Sequence, residues 1–122
     1  MWTVDEHLIE TWLLQQDEET KVSIFAVLEL LEREGPMLRR PLVGEIKHSK
    51  YKRMKELRPP STGRSEARII FAFDPHRTAV LLLAGDKANK QGLRGGLKWN
   101  AWYRKVLPIA DELFDQHLRS LE

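Results

Sequence analysis

The chain has 122 residues, of which 42% are hydrophobic and 31% charged, enough for one globular domain (residues 1–122) and too few for two. It contains no cysteine, no basic-then-apolar leader at its start and no apolar run near the ~20 residues of a membrane-spanning helix. Disulfide and thiolate chemistry are therefore excluded, and a cytoplasmic protein is expected. The net charge of +2 hides a segregation. Residues 39–105 hold 17 of the 20 Lys and Arg with five acids, a balance of +12, while the rest of the chain stands at −10. A basic working surface on an acidic scaffold points to a polyphosphate partner.

In chain order, "DEHLIETWLLQ" (5–15) sets Leu8, Ile9, Trp12 and Leu13 at helical spacing behind two acids suited to a helix N-terminus. "DEETKVSIFAVLELLEREG" (17–35) repeats apolar residues at Ile24, Val27, Leu28 and Leu31 and stops at Gly35-Pro36, which predicts a second helix. Residues 37–53 read as a basic connector without periodicity. "MKELR" (54–58) reads as a short strand and "PPSTG" (59–63) as a turn. "EARIIFAF" (66–73) and "TAVLLLAG" (78–85) are strands joined by "DPHR", where Asp74 and Pro75 suit a type I turn. The second of these is apolar on both faces and should lie inside a sheet. "DKANKQGLRGG" (86–96) is a basic loop. From Trp99 onward, Trp102, Val106, Ala110, Leu113, His117 and Leu121 predict an amphipathic helix, with a kink or a start near Pro108. The expected class is α+β: two helices, an antiparallel meander and a closing helix.

Alternation along residues 66–73 places Ala67, Ile69, Phe71 and Phe73 on one face and Glu66, Arg68, Ile70 and Ala72 on the other. The two N-terminal helices should cover the first set. Arg68 then needs a face at least partly open to water or ligand, because an unpaired buried guanidinium is prohibitively costly. Leu57 takes the core face of "MKELR", so Glu56 and Arg58 share the face of Arg68 if the two strands pair. A structural ion pair between Glu56 and one arginine is the plain alternative to a catalytic role. The glycine-rich pieces lack the spacing of a nucleotide loop, and the four histidines have no metal-ligand spacing. Neither Ser61 nor Ser65 has an adjacent histidine to activate it, so a serine nucleophile is not expected, and neither is a metal or a cofactor.

"ELR", a short turn, "GRSEARIIFAF", a tight turn and "VLLLAGDK", in this order and with this charge polarity, resemble the RelE/ParE superfamily of toxins. Similarity is greatest to its phage-derived, HigB-type branch and runs over about residues 1–118. The resemblance implies a RelE-like fold and the toxin of a type II toxin–antitoxin system. Such a toxin is an endoribonuclease (mRNA interferase) that cuts messenger RNA, often on the ribosome, and is neutralised by a helix-turn-helix antitoxin. It maps the family's functional cations onto Arg58, Arg68 and Lys87. Classical members carry two lysines on the strand before the turn, where this chain has Met54 and Glu56, so the general base stays open. ParE-type relatives bind DNA gyrase without cutting RNA, and a non-catalytic RNA-binding domain is a third reading.

Cleavage of RNA through its 2′-hydroxyl needs a base, stabilisation of the pentavalent phosphate and protonation of the leaving oxygen. Arg58 and Arg68 suit the phosphate. Lys87 suits phosphate binding or proton donation, Glu56 is the first candidate base and His48 the second. Lys50, Lys52, Arg53, Lys55, Arg64, Lys90 and Arg94 form the expected backbone-gripping rim, with Tyr103 available to stack a base.

Overall fold

The computed structural model describes the chain apart from residue 64 and residues 87–94, with the backbone alone for residues 95–99. The elements are β1 (Thr3–Asp5), a 3-10 turn (His7–Ile9), α1 (Glu10–Leu14), α2 (Glu18–Glu34), a second 3-10 turn (Gly35–Met37), β2 (Val43–Glu45), β3 (Lys55–Leu57), β4 (Ala67–Phe73), β5 (Thr78–Asp86) and α3 (Gly95–Ser120). They build a five-stranded sheet of order β1-β5-β4-β3-β2. The expected α+β class holds, with β2 to β5 as an antiparallel meander. Two strands escaped the sequence reading.

The first is β1, which pairs in parallel with β5 through Thr3↔Thr78, Val4↔Ala79 and Asp5↔Val80. The helix expected over residues 5–15 is thus reduced to a 3-10 turn and the five residues of α1. Backbone pairing to β5 competes with helix formation and wins at Thr3–Asp5, where two β-branched residues favour the extended state. The second is β2, inside the supposed connector. Three residues are too few to show an alternation, and one of them is Gly44.

Helix α2 forms as expected. Asp17 caps it by accepting the Thr20 N–H at 2.7 Å, and Gly35 ends it at φ 53. The side chain of Trp2 occupies the space beside Gly35, where a Cβ would stand 2.3 Å from the indole nitrogen.

One face of the sheet buries Leu57, Ala67, Ile69, Phe71, Ala79 and Leu81 under Ile9, Leu13, Ile24, Val27, Leu28 and Leu31 of the N-terminal helices. The other face is not left open along its length. Val106, Leu107, Ala110 and Phe114 of α3 pack on Met54, Ile70, Ala72, Val80 and Leu82. The strand apolar on both faces, β5, lies inside the sheet, with β1 on one side and β4 on the other. Between Ile70↔Leu83 and Phe71↔Leu81 the ladder slips by one residue. This bulge reverses the parity of β5, so Leu82 and Leu83 both join the α3 side and Gly85 comes opposite Arg68.

Polar ties fix α3 at two places. The Ser49 hydroxyl and the Lys50 N–H donate to Asp111 at 2.5 and 2.9 Å, while the Lys50 ammonium and the Tyr51 hydroxyl donate to Asp115. Tyr51 and Lys50 hold the Asp115 carboxyl below the usual range. Nearer the C-terminus, His117 Nε2 lies 2.7 Å from Asp74 Oδ2, and Asp74 Oδ1 accepts the N–H groups of His76 and Thr78. Asp74 closes the β4–β5 turn, with Arg77 in the left-handed region at φ 62.

Burial pushes the Asp74 carboxyl up, but the bond to His117 and the two backbone donors outweigh it, and the group sits below its ordinary value. A carboxyl depressed in the folded state contributes stability above its unfolded pKa and loses that contribution as pH falls through the folded one. Asp74→Asn should therefore cost about 2 kcal/mol at neutral pH, as for a hydrogen bond to a charged group. The gap to the parent protein should close below the carboxylate range in urea unfolding at a series of pH values.

Candidate functional site

At the β2–β3 end of the sheet α3 leaves a cavity of about 1010 Å³, lined from β2 and the segment after it by Glu45, Ile46, Lys47 and His48. Glu56, Arg58 and Arg68 form its sheet wall, and Asn100, Tyr103, Arg104, Leu107 and Pro108 of α3 form the opposite wall.

Strand pairing brings the charged groups together. β3 and β4 run antiparallel with Glu56↔Ile70 and Leu57↔Ile69, which sets Arg58 and Arg68 side by side at the strand ends. Glu56 lies between them. Its Oε1 accepts Arg58 Nε at 3.2 Å and stands 3.1 Å from Arg68 Nε, while its Oε2 accepts the Tyr103 hydroxyl. Glu56 is 4% exposed, so the pairing is what makes the burial of its carboxylate tolerable.

The two arginines are not equivalent. Arg68 is 15% exposed at its side chain and directs its donors to the frame: Nη1 to the Ala67 carbonyl at 2.9 Å and Nη2 to Glu66 at 3.1 Å. Arg58 is 36% exposed, and among the described residues no acceptor takes its two terminal nitrogens. A guanidinium anchored through Nε and open at its far end presents a fork suited to the paired oxygens of a phosphate.

The other residues singled out in the sequence divide. Tyr103 is in the site, as a hydrogen-bond partner of Glu56. His48, exposed and in the left-handed region at φ 71, lines the cavity. Lys50 does not line it. Its ammonium is tied to both Asp115 oxygens at 2.9 Å, and that bond raises it above the usual lysine range. Lys52 and Arg53 are exposed in the turn before β3, outside the cavity lining. Lys55 alternates with Glu56 and so faces the α2 side of the sheet. Arg64, Lys87, Lys90 and Arg94 lie outside the described residues.

Two cations of the cavity, Lys47 and Arg104, escaped the sequence reading. A signal for Arg104 was present: Asn100, Tyr103, Arg104 and Leu107 fall at i, i+3, i+4 and i+7, one face of a helix. For Lys47 there was none, because β2 is too short to orient the residues that follow it.

Residues 11–115 match the family described as Phage derived protein Gp49-like (DUF891). The chain belongs to this phage-derived family. It is 48% identical over 121 residues to a Mycobacterium tuberculosis protein named "Putative toxin HigB2", an alignment spanning 99% of this chain and 56% of that protein. It is 41% identical over 112 residues to "Putative toxin HigB3" of the same organism, spanning 92% of this chain and 89% of that protein. The chain thus spans little more than half the length of the first of these relatives. The kinship to the HigB-type branch expected from the strand segments is borne out.

If Glu56 is the counter-ion on which the site is assembled, Glu56→Gln should cost about 3 kcal/mol, since it leaves two neighbouring guanidinium groups with no anion between them and only Glu66 to balance the partly buried Arg68. Tyr103→Phe, which removes one hydroxyl donor, should cost about 1 kcal/mol. Equilibrium urea unfolding of both variants checks the order, and equal costs would contradict it.

Proposed function

We propose that the protein is the toxin of a type II toxin–antitoxin pair and acts as an endoribonuclease on messenger RNA, engaged at the ribosome, in the cytoplasm. Its partner is a helix-turn-helix antitoxin. The observation that carries this reading is the anchored guanidinium of Arg58, open at its far end in a cavity that also holds Lys47, Arg68 and Arg104. Membership of the Gp49-like family and the likeness to proteins named HigB toxins agree with it.

In this reading the RNA 2′-oxygen gives up its proton and attacks the adjacent phosphorus, and the 5′-oxygen leaves with a proton taken from water, giving a 2′,3′-cyclic phosphate and a 5′-hydroxyl. Arg58 meets the charge that grows on the non-bridging oxygens, and Arg68 backs it through their shared carboxylate. Glu56 is buried with both oxygens taken, which favours a holding role over that of base. His48 lines the same cavity from an exposed position, and imidazole is the side chain suited to take the 2′-proton near neutral pH. Lys47 and Arg104 flank the reacting phosphate and grip its neighbours, and Ile46, Leu107 and Pro108 supply an apolar wall for a base.

Incubation with translating ribosomes and mapping of new 5′ ends tests the reading, with a gyrase supercoiling assay alongside. Inhibited supercoiling with intact messenger would replace it by a gyrase-directed toxin, and RNA binding without cleavage by a non-catalytic domain. Arg58→Ala should lose at least the ~3 kcal/mol of activation free energy typical of one oxyanion donor; it should still fold, with a lowered melting temperature because buried Glu56 keeps only Arg68 and Tyr103. His48→Gln should lower the cleavage rate while leaving RNA binding unchanged, as expected for loss of the proton acceptor. Product ends should be unchanged by EDTA.

The rim generates a separate expectation. Replacing Lys47 and Arg104 together by Gln should lower the salt dependence of single-stranded RNA binding by ~0.7 in slope for each phosphate no longer neutralised. Lys50→Gln should leave the slope as it was, because that ammonium is tied to Asp115. Filter binding over a range of salt concentrations distinguishes the two.

A further inference from the structure

Gly44, in the middle of β2, pairs across the ladder with Glu56. It is buried, and its φ lies outside the left-handed region, so its backbone does not require a glycine. A side chain is excluded by something else. A Cβ built on Gly44 would stand 2.4 Å from Arg58 Nη2, 2.6 Å from Cζ and 3.0 Å from Nε. The guanidinium therefore fills the volume that any other residue at this position would claim for itself.

We propose that Gly44 is a positioning residue for Arg58: the missing side chain on β2 is the seat that lets the guanidinium lie against Glu56 with its far end open to the cavity. This rests on the nuclease reading for its effect on rate, though not for its effect on the position of Arg58. Three constraints meet at that guanidinium. The chain leaves β3 at Leu57, with the Arg58 N–H donating to the Leu42 carbonyl at 2.7 Å, which fixes where the side chain starts. The Glu56 carboxylate takes Nε from one side. The bare strand of β2 receives the plane from below. An arginine side chain has many rotamers, and a seat that accepts only one arrangement removes the entropy cost of ordering it when phosphate arrives.

The atoms nearest the added methyl belong to the flexible end of a side chain, not to backbone. Gly44→Ala should therefore displace Arg58 and leave the frame intact. A strand glycine replaced by alanine otherwise tends to gain stability. The expected outcome is a folded protein whose melting temperature lies between those of the parent and of Arg58→Ala, the alanine's strand gain offsetting part of the loosened ion pair. RNA cleavage should fall about a hundredfold, as for loss of one transition-state donor, and the loss should appear in kcat more than in KM.

The test is a cycle of Gly44→Ala and Arg58→Ala, with the exchange rate of the Arg58 Nε–H followed by nitrogen-15 NMR in the full chain. If the glycine acts through Arg58, its replacement costs nothing further in the Arg58→Ala background, and in the single variant the Nε–H loses its protection from solvent. An equal loss of cleavage in both backgrounds overturns the proposal. So does an Nε–H whose protection is unchanged, or a Gly44→Ala protein that does not fold, since the added methyl would then press on the frame. A parent protein that cleaves no RNA defeats the nuclease reading by itself, and the NMR measurement still decides the role of Gly44.

Discussion

A carboxylate kept out of water must find its partners inside the protein, and two of the three that Glu56 finds come from elements distant in sequence. Arg58 follows it by two residues, Arg68 stands on β4 and Tyr103 on α3. The pairing does more than offset a desolvation penalty. It ties the end of β3 to β4 and to the far helix, and it holds two guanidinium groups that would repel each other if left without an anion between them. Because Glu56 Oε1 serves both arginines, one of them can brace the frame while the other stays open. The asymmetry between them comes from the Ala67 carbonyl and Glu66, which take the far end of Arg68 and not that of Arg58.

The cavity exists because α3 covers its side of the sheet incompletely. Along Val106, Leu107, Ala110 and Phe114 the helix is packed on apolar strand residues. Towards its start, Tyr103 and Arg104 face the charged strand ends instead. The bulge in β5 contributes by bringing Gly85 opposite Arg68, and Trp102 lies over that glycine, within 2.9 Å of where a Cβ would stand. Two glycines on the same face, Gly44 and Gly85, thus make room for an arginine and a tryptophan. In each case a side chain from another element supplies the bulk that the strand lacks.

The charge segregation has a structural use besides any encounter with a polyphosphate. Part of the acidic C-terminal segment folds back on the basic middle, with Asp111 and Asp115 taking Ser49, Lys50 and Tyr51. This clip holds the segment that carries Lys47 and His48 against α3. A basic residue in a basic stretch is therefore not automatically a ligand contact: Lys50 is engaged within the protein, and Lys55 is turned to the other face.

Much of this was legible in the chain. The period of Ile24, Val27, Leu28 and Leu31 with an acid cap and a terminal glycine determined α2, because caps and apolar stripes are local properties. Alternation over residues 66–73 determined that Arg68 and the pair Glu56, Arg58 would share one face, because the strand period is set by the backbone alone. The strand segments also sufficed to place the chain with its relatives. What only the tertiary structure decided are the features that depend on long-range pairing. β1 and β2 are three residues each, too short to carry a period, and become strands only because β5 and β3 offer their free edges. Which arginine is open, whether Glu56 is taken, and where Lys47 comes to lie were unreadable for the same reason. A side chain's charge is written in the sequence, but its partners are chosen by elements that meet only when the chain has closed on itself.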